Sequence, residues 1–154
     1  GLSFQVHDMC KPFGKKFDAV FNLFTSFGYF EDEKDNLRTI KAIKEDLKPA
    51  GYGVIDFMNV KKVVRHLVPT ETKIVEGITF HINRYVENGY IFKDIAFEDN
   101  SQQYTYSERV KALTLSDFTT YFEKAGLELK HCFGDYSLAP FDASTSDRLI
   151  LIFN

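Results

Sequence analysis

The sequence predicts an α/β chain: buried strands alternating with helices, interrupted by an antiparallel insertion. Three observations carry this. Phe17–Phe24 is almost wholly apolar, as expected of a central parallel strand covered on both faces. Leu37, Ile40, Ile43 and Leu47 recur at spacings of three and four and form one apolar stripe. Asn88-Gly89 separates two strand-like runs, the strongest short hairpin signal.

The elements follow in order. Ser3–His7 alternates like a short strand and stops at Asp8-Met9. Phe17–Phe24 is the buried strand. Glu31–Lys48 is the helix: Glu33, Lys41, Lys44 and Glu45 face water, Asp32 and Glu33 suit its positive start, and Pro49 and Gly51 stop it. Gly53–Met58 is a second buried strand. Asn59 caps a short helix carrying Val60, Val63, Val64 and Leu67 on one face, and Pro69 ends it.

The character then changes. Thr79–Val86, Tyr90–Phe97 and Tyr104–Lys111 read as a three-stranded antiparallel meander, an insertion spanning about 78–112. Leu115, Phe118, Phe122 and Ala125 form a helical stripe between Thr114, with Asp117 three residues on, and Gly126. Leu127–Phe133 and Arg148–Phe153 are the last strands, joined by a polar loop, 134–147, that contains Pro140.

Composition bounds the function. The 154 residues suit one domain, and 44% hydrophobic content supports a core; 16 phenylalanines and 8 tyrosines without tryptophan make that core aromatic. The net charge of −3 and the absence of a basic block argue against a nucleic-acid partner. No apolar run reaches membrane-spanning length and no N-terminal signal pattern is visible, so a cytoplasmic protein without a membrane partner is expected. Cys10 and Cys132 read as free thiols, and no His or Cys spacing matches a metal site. No G-x-S-x-G elbow, P-loop or H-E-x-x-H pattern occurs.

The apolar strand runs into Thr25, Ser26 and Gly28, small residues that let a backbone approach a ligand, and open α/β sheets bind ligands at the carboxyl ends of their strands. Asn22 is a polar amide in an apolar run. Buried without a partner it would cost about 1–3 kcal/mol, so it asks for one.

Phe17-Asp18-Ala19-Val20, then Asn22-Leu23-Phe24-Thr25-Ser26-Phe27-Gly28-Tyr29, then Leu47-Lys48-Pro49-Ala50-Gly51 resembles the second half of a class I S-adenosylmethionine-dependent methyltransferase. That family carries an F-D-x-V fourth strand, an x-L-F-x-S-x-G-Y loop and an L-K-P-G-G helix end. Ala50 stands where the first of those glycines is usual. The family's glycine-rich cofactor loop lies further upstream, and the sixteen residues before Phe17 contain no G-x-G.

The resemblance therefore implies an incomplete Rossmann-like methyltransferase sheet over residues 1–154: the fourth and fifth strands, the inserted meander over the cleft, and a C-terminal antiparallel hairpin of the sixth and seventh. It implies a methyltransferase acting on a small-molecule acceptor, with S-adenosylmethionine as donor, present as a fragment inactive alone. It implies that Asp8 accepts the adenine amino group and Met9 packs on the ring. Asn22, Leu23 and Phe24 then face the rest of the donor. For Asp8 the plain alternative is a loop cap.

Ser26 and Tyr29 continue into the cleft, where Tyr29 either offers its hydroxyl to a substrate or packs its ring. Arg84, Tyr106 and Arg109 of the meander are candidates for a flat or anionic acceptor, the alternative being a solvated face with tyrosines in cross-strand pairs. His81 is the candidate general base. With its first strands lacking, such a sheet leaves Phe17–Phe24 as an apolar edge, which predicts a homodimer or segment exchange. Rival readings are a nicotinamide-dependent Rossmann reductase fragment and a non-catalytic α/β interaction domain.

Overall fold

The computed structural model describes residues 1–154 and contains two four-stranded sheets. The first is built from β1 (Phe17–Asn22), β2 (Leu47–Met58), β7 (Leu129–Phe133) and β8 (Arg148–Phe153), in the order β1-β2-β8-β7. β1 and β2 are parallel, joined by helix α1 (Lys34–Asp46). β8 runs antiparallel to both β2 and β7. The second sheet is an antiparallel meander of β3 (Thr70–Val75), β4 (Ile78–Glu87), β5 (Tyr90–Asp99) and β6 (Gln102–Lys111). The short helix α2 (Val60–Arg65) leads into it, and α3 (Leu115–Ala125) leads out.

One face of the first sheet makes the core. Successive strand residues point to opposite faces, so Ile55 and Phe57 of β2 share a face with Leu149, Leu151 and Phe153 of β8. All five are buried against Ile40 and Ile43 of α1 and Phe118 and Phe122 of α3. Gly53 is needed here, because a Cβ on it would stand 2.4 Å from the Phe153 ring. Ile91 and Val110 tie the meander to the same core.

Several expectations need correction. Ser3–His7 forms no strand: its alternating Phe4 and Val6 are exposed, since alternation without a neighbouring strand satisfies no backbone group. The apolar Phe17 run is an edge strand ending at Asn22, and its second face is open, with Phe21 57% exposed. The edge position is the one that the resemblance implied.

Helix α1 ends at Asp46, before Lys48. Pro49 pushes the residue before it out of helical conformation, and Leu47 is already extended. The meander has a fourth strand, β3, which hairpins onto β4 through Glu76-Gly77. Asn59 does not cap α2 through its side chain; its amide nitrogen donates to the carbonyls of Ala143 and Ser146 at 3.1 and 2.8 Å, anchoring the 134–147 loop. The final pair is antiparallel as expected, with β7 starting at Leu129 and not at Leu127. No helix is long and apolar enough to cross a membrane.

Candidate functional site at the carboxyl end of the first strand

β1 ends at Asn22, and the chain turns through Leu23–Tyr29 by a strained route. Phe24 and Thr25 both adopt the left-handed region, at φ 58° each, which non-glycine residues enter rarely. Phe24 is thereby held outward, its side chain 77% exposed, while Thr25 is buried.

Asp56 of β2 holds this turn. Its carboxylate accepts the Phe24 N–H at 2.9 Å, and its backbone carbonyl accepts the Thr25 N–H at 2.9 Å. The guanidinium of Arg148 donates from Nε to Asp56 at 2.7 Å and from Nη2 to the Thr25 hydroxyl at 3.0 Å. The Tyr136 hydroxyl donates to Asp56 at 2.9 Å, and this bond to the carboxylate raises the phenol's pKa above its ordinary value. Asp56 is only 1% exposed, so its oxygens need these donors as partners. None of Asp56, Arg148 and Tyr136 was identified from the sequence. A carboxylate inside the apolar run Val54-Ile55-Asp56-Phe57 was the available signal.

Of the residues expected to face the donor, Met9 and Asn22 come together. They line one hollow of about 210 Å³ between the N-terminal segment, β1 and α1, with Phe13, Phe17 and Phe21 on its walls. The Asn22 amide carbonyl accepts the Ser26 hydroxyl at 3.2 Å. Asp8 lies apart from this hollow. It caps a local turn, accepting the Cys10 N–H at 3.0 Å beside Lys11 at 3.4 Å, and its pKa is lowered, chiefly by that N–H. Leu23 and Phe24 lie beyond the hollow's walls, on the strained turn.

The acceptor candidates divide between the two faces of the meander. Its register is unbroken from β4 to β6, so Arg84 and Tyr106 share one face with Ile82, Lys93 and Glu108. Arg84 is paired with Glu71 at 2.7 Å. Burial, and then the charge of Glu108 on this face, raise the pKa of the Tyr29 hydroxyl. Phe80, Phe97 and Tyr104 extend the same face as an aromatic cluster, with ring centroids 4.8 and 5.0 Å apart.

Arg109 and His81 are on the opposite face. Arg109 lies over the Tyr90 ring at 4.8 Å and reaches the Phe30 carbonyl at 3.5 Å. His81 stands among Asn83, Asp94 and Ser107 with Thr72 at 3.5 Å. The loop and the meander meet where the Lys111 N–H donates to the Gly28 carbonyl at 2.8 Å.

Solved structures share this fold. A S-adenosylmethionine-dependent methyltransferase from Clostridium acetobutylicum ATCC 824 matches with a TM-score of 0.84 over 97% of this chain, at 17% identity. The chain has the class I methyltransferase fold. The CcbJ methyltransferase from Streptomyces caelestis matches at 0.80 over 97% of this chain, with 15% identity. CalS10 from Micromonospora echinaspora, an amino pentose methyltransferase solved with its S-adenosylmethionine bound, matches at 0.64 over 96%, with 16% identity. The chain spans 63%, 62% and 62% of those three structures. No family model and no curated protein matches it by sequence. Against the methyltransferase fold, the order β1-β2-β8-β7 corresponds to its fourth, fifth, seventh and sixth strands, as the resemblance implied.

Proposed function

We propose that this chain is the C-terminal part of a methyltransferase that moves a methyl group from S-adenosylmethionine to a small-molecule acceptor. The observation that carries the reading is the pairing of Met9 and Asn22 on one hollow alongside β1, in a chain with this fold. A lining of apolar side chains with the polar groups of His7, Lys11, Asn22, Thr39 and Asp46 among them fits a cofactor that combines an aromatic base with polar groups. Met9, Phe21 and Asn22 would hold the donor there, with Leu23 and Phe24 at its margin; when bound it supplies an activated methyl on a sulfonium.

The chain's own part is alignment. Asn22 is oriented by Ser26, and Tyr29 with Tyr106 and Arg84, the latter paired with Glu71, would bind the acceptor from one face of the meander. Holding two reactants in line in a dry site lowers a barrier by up to about 7–11 kcal/mol. Arg109, committed to Tyr90 and Phe30, acts as a strut, and His81 faces away from this side and takes no part. In this reading the glycine-rich loop comes from outside these residues, the chain alone does not transfer methyl groups, and alone it pairs with a second copy along the free edge of β1.

Calorimetry with S-adenosylhomocysteine tests the reading, on this chain and on the protein extended upstream of Gly1. Binding by the extended protein supports the methyltransferase. Binding of a nicotinamide dinucleotide instead would move the reading to a reductase. Silence with both would leave an interaction scaffold.

A further inference from the structure

The strained turn after β1 is held by groups that the proposed chemistry does not use. Two consecutive left-handed residues, one of them the β-branched Thr25, are a conformation that the chain does not keep unaided. Besides the turn's own bonds from Ser26 to Leu23 and Asn22, four bonds oppose that tendency, and these four involve Asp56 or its partner Arg148. Asp56 accepts from Phe24 N–H through its carboxylate and from Thr25 N–H through its carbonyl. Arg148 ties Asp56 to the Thr25 hydroxyl. β2 and β8 place the pair rigidly, since Met58 and Arg148 are register partners and Asp56 lies opposite Ile150.

The same carboxylate oxygen, Oδ2, receives both the Phe24 N–H and the Tyr136 hydroxyl, each at 2.9 Å. Phe24 and Tyr136 are largely exposed residues, at 77% and 64%. One buried oxygen thus anchors two segments, the Leu23–Tyr29 turn and the 134–147 loop, each carrying an exposed aromatic residue.

We propose that Asp56 and Arg148 are positioning residues: together they latch the Leu23–Tyr29 loop in its strained form and tie the 134–147 loop to it through the Tyr136 hydroxyl. Arg148 acts on the loop through Thr25 and Asp56 through the Phe24 amide. The inference deepens the proposed function, because that loop carries Leu23, Phe24, Ser26 and Tyr29. Its test does not need methyl transfer.

Amide hydrogen exchange followed by NMR reads the latch directly. In Asp56→Asn the Phe24 and Thr25 amides should exchange faster by roughly 10- to 100-fold, the scale of one lost bond to a charged group. The Ile55 and Leu151 amides, in the ladder of the sheet, should keep their protection.

Should Asp56→Asn fail to fold, two milder changes decide. Arg148→Lys keeps the charge beside Asp56 but cannot also span to Thr25. Thr25→Val keeps the shape and removes the hydroxyl. If Arg148 acts through Thr25, each accelerates loop exchange by a similar factor and the double variant adds little beyond either. Loop amides unchanged in all the variants that fold, or fully additive effects of the two milder changes, would overturn the latch. The affinity for S-adenosylhomocysteine, measured separately, bears on the proposed function and leaves this result standing.

Discussion

Single residues set the tolerances of this fold. Gly53 faces Phe153, which is fully buried and stacked on Phe122 at a centroid distance of 4.3 Å. The Phe153 ring therefore has no room to yield to a methyl group. Gly53→Ala should lower the stability by about 1–3 kcal/mol, the usual range for overpacking, read as a shift of the urea midpoint at unchanged slope.

Asp142 sets a pH dependence. The hydroxyl and N–H of Ser144 and the hydroxyl of Thr145 hold its pKa well below the ordinary 3.8, at about 2. A carboxylate with a lowered folded-state value stabilises the fold above its unfolded value and loses that contribution as pH falls through the folded one. The 134–147 loop should therefore hold its structure at pH 4 and loosen between 3.8 and about 2. Asp142→Asn should abolish this step; NMR shifts of Ser144 and Thr145 during an acid titration check it.

Helices and strands show what was legible in the sequence. Thr114 and Asp117 were read as a helix start, and both the N–H and the hydroxyl of Thr114 donate to Asp117 at 2.7 Å. Thr114→Ala should cost about 1 kcal/mol, measured by denaturant unfolding, with α3 fraying first in exchange.

Asn88-Gly89 was legible as a hairpin because two residues at positive φ are what a two-residue loop requires. Glu76-Gly77 and Asn100-Ser101 make the same kind of turn with less distinctive residues. β3 was missed with its turn: Thr70–Val75 is an exposed edge strand with little apolar signal, and its pairing with β4 is what makes it a strand. Ser3–His7 is the converse, an alternation with no partner. For the candidate site, Met9 and Asn22 were named from motif position, and both line the hollow beside β1. The latch was not legible, because a buried carboxylate announces that it needs a partner but not which one, and Arg148 is 92 residues away from Asp56.

At the scale of the whole molecule the decisive feature is the free edge of β1. β1 pairs only with β2, so the backbone groups along its other side are open. Its outer face adds apolar surface, with Phe21 packed edge-to-face on Tyr52 at 6.2 Å and both exposed. One exposed charge guards the strand, Asp18, and it is paired with Lys48 at 2.8 Å.

An open apolar edge with so little protection pairs with another strand when one is offered. A second copy offers the same edge, and the two fit about a two-fold axis with identical surfaces in contact. Size-exclusion with light scattering should then show a dimer mass that falls toward monomer on dilution. Phe21→Lys should shift the chain to monomer, because a lysine on an edge strand disfavours pairing and Phe21 lies outside the core. A monomer at every accessible concentration, with Phe21 intact, would show that the edge is protected in solution by some other means.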